Sequence, residues 1–210
     1  MKRTSLRMLL GATLVLLTGT VGCVTQGTYN DLQTERDVLS NRVETLERTN
    51  LESEERLTAL RARSAAIEEE LRDEVVSGQV RIEEIQNGIQ VGLSNQILFA
   101  SGSAILSEQG RDIILRLAKQ LREGSETISV EGHTDNMMIG TGLVGQYPSN
   151  WELAGARAAR VVRRLSAEGV DPHRLRAVSR GPFAPESSND TEAGRAKNRR
   201  TVLLLRPAAD

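Results

Sequence analysis

The feature that most constrains this chain is a run of 47 residues, Tyr29–Val75, that contains neither proline nor glycine. Because these two residues are the strongest helix breakers, their absence predicts one long helix of about 70 Å. A heptad register fits the run, and apolar residues fill nine of its fourteen seam positions: Tyr29, Leu32, Leu39, Val43, Leu46, Leu57, Leu60, Ile67 and Leu71. The seam predicts a coiled-coil spacer at 29–77 and a homodimer through 29–75, and Asn50 at an inner position favours two strands. A solitary exposed helix is the alternative.

After Gly78 the apolar period changes from helical to alternating, which indicates a sheet. Strands are predicted at 88–93, 96–99, 127–133, 175–181 and 201–206, and helices at 107–122, 149–168 and 191–200. Ser107 is a candidate helix cap, and Ser149 with Glu152 forms a capping box. The order β-α-β-α-β-α-β predicts an α/β fold, an α+β sandwich with its helices packed on one mixed sheet.

The N-terminus has the pattern of a secretory signal at 1–22. Lys2, Arg3 and Arg7 precede the apolar segment "MLLGATLVLLTGTVG", which is short for a membrane span. The only cysteine, Cys23, follows it, and "TVGC" resembles the processing box of bacterial lipoproteins, although Thr20 stands where an aliphatic residue is usual. We therefore expect lipidation at Cys23 and a linker at 23–28. A buried structural cysteine beside a membrane anchor is the alternative.

Charge is divided unevenly along the chain, although the formal net charge is only −1. Residues 24–77 carry thirteen acidic and seven basic side chains, whereas residues 151–210 carry seven acidic and twelve basic ones. The basic C-terminal part suits an anionic polymer. Nucleic acid is excluded as a partner because aromatic residues make up 2% of the chain and do not alternate with the basic ones.

The segment "VEGHTDN" ends a predicted strand with polar side chains. Strand alternation places His133 and Asp135 on the same side, as an acid–base pair requires. However, no nucleophile elbow accompanies them, and His173 and the scattered acids lack metal-ligand spacing. We therefore predict no enzyme, no metal and no cofactor, and interpret His133 as a hydrogen-bonding residue at the strand end.

A second interpretation joins Asp135 to the helix that follows. That helix carries Asn150 in its first turn and Arg157 two turns further on. A carboxylate and a guanidinium on neighbouring elements can hold the two poles of a zwitterion, with Asp135 on an ammonium and Arg157 on a carboxylate. A structural Asp135–Arg157 salt bridge is the alternative.

Five segments, in chain order, resemble the OmpA-like peptidoglycan-binding domain: "ILFASGSAILSEQG", "VEGHTDN", "YPSNWELAGARAARVVRRL", "GVDPHRLRAVSRG" and "TEAGRAKNRR". The resemblance covers about residues 88–206, and "PSNWEL" after a glycine-rich loop is most similar to the branch of flagellar stator B subunits. It implies binding, without catalysis, of the diaminopimelate part of the peptidoglycan stem peptide.

The same resemblance implies the site residues. Asp135 and Arg157 match the family residues that bind the diaminopimelate ammonium and carboxylate, and Asn150 and Thr134 lie beside the ligand. Asn198 and Arg200 match positions that support or edge the pocket, for which a purely structural role is the alternative. The sequence departs from the family at two places: at Ala154, and at the small residues Ala100, Ser101 and Gly102.

Together these features predict a lipid-anchored envelope protein that tethers the outer membrane, on its periplasmic face, to the cell wall. Its OmpA-like domain would span 78–206, with a short tail at 207–210. The alternative is a stator-like motor subunit or a wall-anchoring accessory subunit. A motor subunit needs an ionisable residue within a membrane span, and the segment from Met8 to Gly22 has none.

Overall fold

A computed structural model describes residues 25–100 and 102–208. The predicted signal sequence, the lipidation site Cys23 and the departure at Ser101 lie outside the described residues. The long predicted helix is confirmed as α1, Gln26–Glu70, and a short helix α2, Arg72–Val76, follows it. Residues from Glu54 onward form one compact unit, and the chain up to Ser53 belongs to another.

The apolar seam of α1 changes its environment along the helix. Leu32 and Leu46 are more than half exposed, at 57% and 54%. Leu60, Ile67 and Leu71, further along the same seam, are buried in the core of the second unit. The last turns of the helix are therefore part of that unit, while the earlier seam positions are exposed.

A five-stranded mixed sheet forms the centre of the second unit. The strands are β1 Val80–Ile85, β2 Gly88–Ser94, β3 Thr127–His133, β4 Leu175–Gly181 and β5 Arg200–Arg206. Their spatial order is β1-β2-β5-β3-β4, and only β3 and β4 run parallel. The carboxyl ends of β3 and β4 therefore meet at the same edge of the sheet.

Helices alternate with these strands. They are α3 Asn95–Leu98, α4 Glu108–Leu121, α5 Thr141–Val144, α6 Asn150–Ala167 and α7 Glu192–Asn198, with a 3₁₀ turn at Pro172–Arg174. The predicted caps are confirmed. The Ser107 hydroxyl accepts a hydrogen bond from the Gly110 amide at 2.8 Å, and Ser149 and Glu152 form the capping box of α6.

Two elements differ from the sequence prediction. The segment 96–99 was predicted as a strand, which is wrong, because the Ser94 side chain caps the short helix α3 by accepting from the Gln96 amide at 3.3 Å. Strand β1 was not predicted at all. It is an edge strand with exposed acids at Glu83 and Glu84, so its alternation is weak, and it pairs with β2 through a hairpin.

One hydrophobic core lies between the sheet and helices α4 and α6. It contains Ile89, Val91 and Leu93 of β2, Ile128 and Val130 of β3, Leu203 and Leu205 of β5, and Ile113, Ile114, Leu117, Leu121, Val161 and Leu165 of the helices. Each such aliphatic side chain contributes about 1.5–3 kcal/mol when it is fully buried. This packing fixes α6 against the end of β3, where the polar residues begin.

Candidate functional site

The end of strand β3 and the first turns of helix α6 approach each other unusually closely. The residue at the contact is Gly132, where an added methyl group would overlap the backbone carbonyl of Ala154. Only glycine permits this approach. It brings Thr134 and Asp135, which follow β3, close to the helix that carries Arg157.

Asp135 is almost fully buried, at 7% exposure, and has two partners. Its Oδ1 accepts a hydrogen bond from the Met137 amide at 3.1 Å, and its Oδ2 accepts one from the Arg199 guanidinium at 2.7 Å. Arg199 also donates to Glu192 at 2.6 Å. The ion-pair partner of Asp135 is therefore Arg199, and the alternative of a direct Asp135–Arg157 salt bridge is wrong for the described residues.

Arg157 is buried without a carboxylate partner among the described residues, although its exposure is only 9%. Its Nε donates to the Ser103 carbonyl at 3.1 Å, and its guanidinium carbon lies 5.3 Å from the centre of the Phe99 ring. Burial lowers the pKa of Arg157 to about 10, and the charge of Asp135 offsets this only in part. A buried cation of this kind lacks the counter-ion that such groups normally have.

Arg157 and Arg199 line the same open cleft, which we call the charged cleft. Its volume is about 330 Å³, and its walls are Asn95, Gln96, Phe99, Ala100, Gly102, Arg157 and Arg199. Asp135 lies behind Arg199 and does not line the cleft. The cleft therefore presents two guanidinium groups and is suited to an anionic group.

Thr134 has a further unsatisfied group beside Asp135. Its amide donates to the Gly181 carbonyl at 2.9 Å, which ties the end of β3 to β4. Its hydroxyl is buried and has no hydrogen-bond partner within residues 25–100 and 102–208. A buried hydroxyl without a partner costs free energy, so its presence next to Asp135 is consistent with a ligand contact.

Asn150 shapes the loop that carries Asp135. Its amide nitrogen donates to the Met137 carbonyl at 2.8 Å and approaches the Asp135 carbonyl at 3.5 Å. Because these are backbone groups of the Asp135 loop, Asn150 holds the carboxylate in place from behind and is not a wall of the charged cleft.

Asn198 and Arg200 lie away from the cleft walls. The side chain of Asn198 is fully buried, accepts from the amides of Glu186 and Ser187, and donates to Ser187 and Asn189. Arg200 pairs with Glu186 at 3.1 Å. Both contacts agree with the structural alternative, and the arginine that faces the cleft is the neighbouring Arg199, which the sequence analysis missed.

His133 does not make the side-chain hydrogen bond predicted for it. In the described part of the chain neither ring nitrogen has a partner, and Nε2 lies 3.6 Å from the Glu131 carboxylate. Burial raises the pKa of Glu131, but His133 and the hydrogen-bonded Arg180 outweigh it and lower this pKa to about 2. Among the described residues no group of three acidic, histidine or cysteine side chains is arranged to hold a metal.

The chain is similar to proteins of known family and known structure. Residues 98–199 match the OmpA family. The chain is 33% identical to "Probable lipoprotein YiaD" of Escherichia coli (strain K12), over 67% of this chain and 61% of that protein. Among solved structures it is similar to the cell wall anchor of the T6SS from Pseudomonas aeruginosa, with a TM-score of 0.62 and 33% identity over 68% of this chain and 97% of the other.

A second solved relative is the periplasmic domain of Helicobacter pylori MotB, with a TM-score of 0.57 and 29% identity over 62% of this chain and 80% of that one. The chain spans 61% and 55% of the length of two curated relatives that it matches. No helix within the described residues is both long and apolar enough to cross a membrane.

Proposed function

We propose that this chain, which belongs to the OmpA family through residues 98–199, binds peptidoglycan non-covalently and without catalysis. A relative of known structure is a cell wall anchor, and it matches 68% of this chain. The observation that carries the proposal is Arg157, a buried guanidinium without an acidic partner among the described residues, at the wall of an open cleft. The ligand group we assign to it is the carboxylate of diaminopimelate in the stem peptide.

A carboxylate in the charged cleft supplies the missing counter-ion. The planar guanidinium of Arg157 has its Nε occupied by the Ser103 carbonyl, so its two terminal nitrogens remain for a bidentate pair. Because the site is mostly desolvated, this pair is stronger than one on the surface. Arg199, which also lines the cleft, adds a second positive charge.

The ammonium of the same ligand residue would interact with Asp135. In the structure without ligand, Arg199 bonds to both Asp135 and Glu192. We infer that Arg199 keeps Glu192 and turns toward the ligand carboxylate, which releases Asp135 Oδ2 for the ammonium. The Met137 amide continues to hold Oδ1, so the carboxylate does not lose its orientation.

Tethering would require the N-terminal part of the chain. We propose that lipid on Cys23 anchors it to the periplasmic face of the outer membrane, and that α1 is the spacer. The exposed seam at 29–57 supports a homodimer, because a solitary helix would leave these apolar side chains in water. Two OmpA-like domains on one glycan polymer would raise the avidity.

Cys23→Ala tests the lipid anchor. This variant should move out of the membrane fraction, and its retention there would contradict lipid anchoring.

The alternative function is an accessory or motor subunit that holds a larger envelope machine to the wall. It is favoured by the similarity to the T6SS anchor and to the MotB periplasmic domain. Both functions use the same charged cleft. Co-purification of a stoichiometric membrane partner with the full chain would favour the machine, and a chain that is isolated only with wall fragments would favour the simple tether.

The test of wall binding is sedimentation of the full chain with purified peptidoglycan, with free diaminopimelate as competitor. Arg157→Met keeps the apolar volume and removes the charge, and we expect at least a tenfold loss of binding from the lost charge-assisted pair. Arg160→Met on the exposed side of the same helix is the matched control and should bind normally. Equal binding by the Arg157 variant and the wild type would refute the assignment of the cleft.

A further inference from the structure

A second cavity, which we call the polar groove, adjoins the charged cleft. Its volume is about 370 Å³, within the usual range of ligand pockets. Strands β1 and β2, α7 and the loop at Glu186 surround it, and Gln96 lines both cavities. The groove lining begins at Ser77, and much of it precedes residue 98, where the family match starts, so this part is formed by the N-terminal hairpin and lies outside that match.

The two arginines of the polar groove share a single acid, and the exposed Lys197 also lines the groove. Glu186 pairs with Arg81 on one oxygen and with Arg200 on the other, the latter at 3.1 Å. This differs from the charged cleft, where Arg157 has no acidic partner in the described chain. The two arginines of the groove are therefore already paired within the protein, although its lining as a whole carries more positive than negative charge.

Three glutamine amides line the groove and are not used by the protein. The side chains of Gln79, Gln90 and Gln96 have no hydrogen-bond partner within the described residues. An amide offers both donors and an acceptor, which matches hydroxyl and acetamido groups that also donate and accept. Neutral amides beside the Ser94 hydroxyl therefore fit a sugar better than they fit a carboxylate.

The floor of the groove is open at Gly92, in the middle of strand β2. A side chain there would meet nothing nearer than the Arg81 carbonyl at 3.8 Å, so packing does not require glycine. Glycine within a strand weakens it and often marks a place where a ligand approaches the backbone closely. The fold would accept a residue with a side chain at position 92. We therefore interpret Gly92 as leaving space for a ligand in the groove.

We propose that the polar groove binds a sugar residue of the glycan strand whose stem peptide occupies the charged cleft. This inference rests on the proposed function, because it takes the ligand of the charged cleft to extend past Gln96, which lines both cavities, into the groove. The cleft recognises the charged end of the peptide, and the groove recognises the neutral, N-acetylated end. A ligand with both parts therefore binds more tightly than the peptide alone.

Calorimetry of the full chain with two probes tests this inference: a disaccharide tetrapeptide from peptidoglycan, and the same tetrapeptide without sugar. The wild type should bind the sugar-bearing probe roughly tenfold more tightly, the gain expected from one or two net hydrogen bonds. Gly92→Trp fills the groove and should abolish this difference without changing the affinity for the free tetrapeptide. Gly92→Ala, whose methyl group makes ordinary contacts, is the matched control and should keep most of the difference.

A second variant keeps the test decisive if tryptophan disturbs the strand. Gln79→Ala with Gln90→Ala removes two amides from the groove and should reduce the preference for the sugar-bearing probe by about threefold or more. Equal affinity of the wild type for the two probes would overturn the inference and leave the cleft assignment intact. Binding of neither probe would instead refute the proposed function itself.

Discussion

Two buried clusters in this protein each place an acid beside two arginines, and they differ in whether that acid pairs with both. In the first, Arg174 donates to the carbonyls of Leu121 and Glu126 at 2.8 Å each and lies 3.3 Å from the Glu126 carboxylate, which also faces Arg63 at 3.1 Å. In the second, Asp135 pairs with Arg199, while Arg157 keeps a single carbonyl partner.

This difference in ion pairing distinguishes the cluster that supports the fold from the cluster at the candidate binding site. Arg174 joins the end of α4, the start of β3 and the turn before β4, and its bonds are all within the protein. Arg157 is equally buried, yet its terminal nitrogens have no partner among the described residues. We call the first cluster saturated because its acid pairs with both arginines, and the second unsaturated because one of its arginines lacks an acid among the described residues. The first is expected to stabilise the fold and the second to retain capacity for a ligand.

The largest effect is expected at the saturated cluster. Arg174→Met leaves the Glu126 carboxylate with a weaker set of partners and two carbonyls unpaired, so the free energy of unfolding should fall by about 3–5 kcal/mol. Urea denaturation of the full chain measures this change. Arg176→Met, on the exposed face of the same region, should stay within about 0.5 kcal/mol of the wild type. A loss below 1 kcal/mol at Arg174 would remove the distinction between the clusters.

A smaller effect is expected at the unsaturated cluster. Arg157→Met removes a cation that has no acidic partner in the described chain, so the free energy of unfolding at neutral pH should change by less than about 1 kcal/mol. The same denaturation series measures it. A destabilisation as large as that of Arg174→Met would mean that Arg157 is scaffold and not part of a site.

The wild type and Arg157→Met should also differ in how the free energy of unfolding depends on pH. The pKa of Arg157 is about 10 in the folded chain, well below the usual value of an arginine, so in the alkaline range the unfolded chain binds more protons. The free energy of unfolding of the wild type should therefore rise relative to Arg157→Met, by about 1 kcal/mol between pH 9 and pH 11. Parallel pH profiles for the two proteins would contradict the burial of an unpaired charge.

The smallest effect comes from giving Arg157 the partner that it lacks. Ala100 lines the charged cleft and is exposed, so Ala100→Glu places a carboxylate there without filling the core. We expect a stabilisation of about 0.5–1 kcal/mol together with loss of binding to peptidoglycan. Ala100→Gln is the control of equal size and should change neither quantity much. Stabilisation without loss of binding would show that the ligand carboxylate binds elsewhere.

Much of the fold was predictable because its signals are local. The capping serines at Ser107 and Ser149 and the absence of helix breakers in Tyr29–Val75 each point to one structure. Strand β1 was missed because its outer acids obscure the alternation, although the Asn87–Gly88 pair is a hairpin signal, with Asn87 at φ 60°. The polar groove depends on that hairpin and was therefore not foreseen.

The sequence predicted which residue types meet at the candidate site, but not which arginine forms the ion pair with Asp135. Sequence spacing brought Asp135 and Arg157 to neighbouring elements, which the structure confirms. It did not distinguish Arg199 from Arg200, because these adjacent arginines lie at the junction of α7 and β5, where the chain changes from helical to extended. Arg199 faces Asp135 and Arg200 faces Glu186, and only the tertiary fold decides which of the two does so.

The close contact between Gly132 and Ala154 sets a rule for anyone who wishes to redesign what this protein recognises. The contact fixes the distance between β3, which leads into Asp135, and the helix that carries Arg157. A substitution there is therefore expected to alter affinity and folding together, and a selection could not tell the two apart. The exposed rim residues Gln96 and Ala100 carry no such double constraint. Libraries restricted to that rim would change selectivity while the spacing of the two charged poles stays as it is.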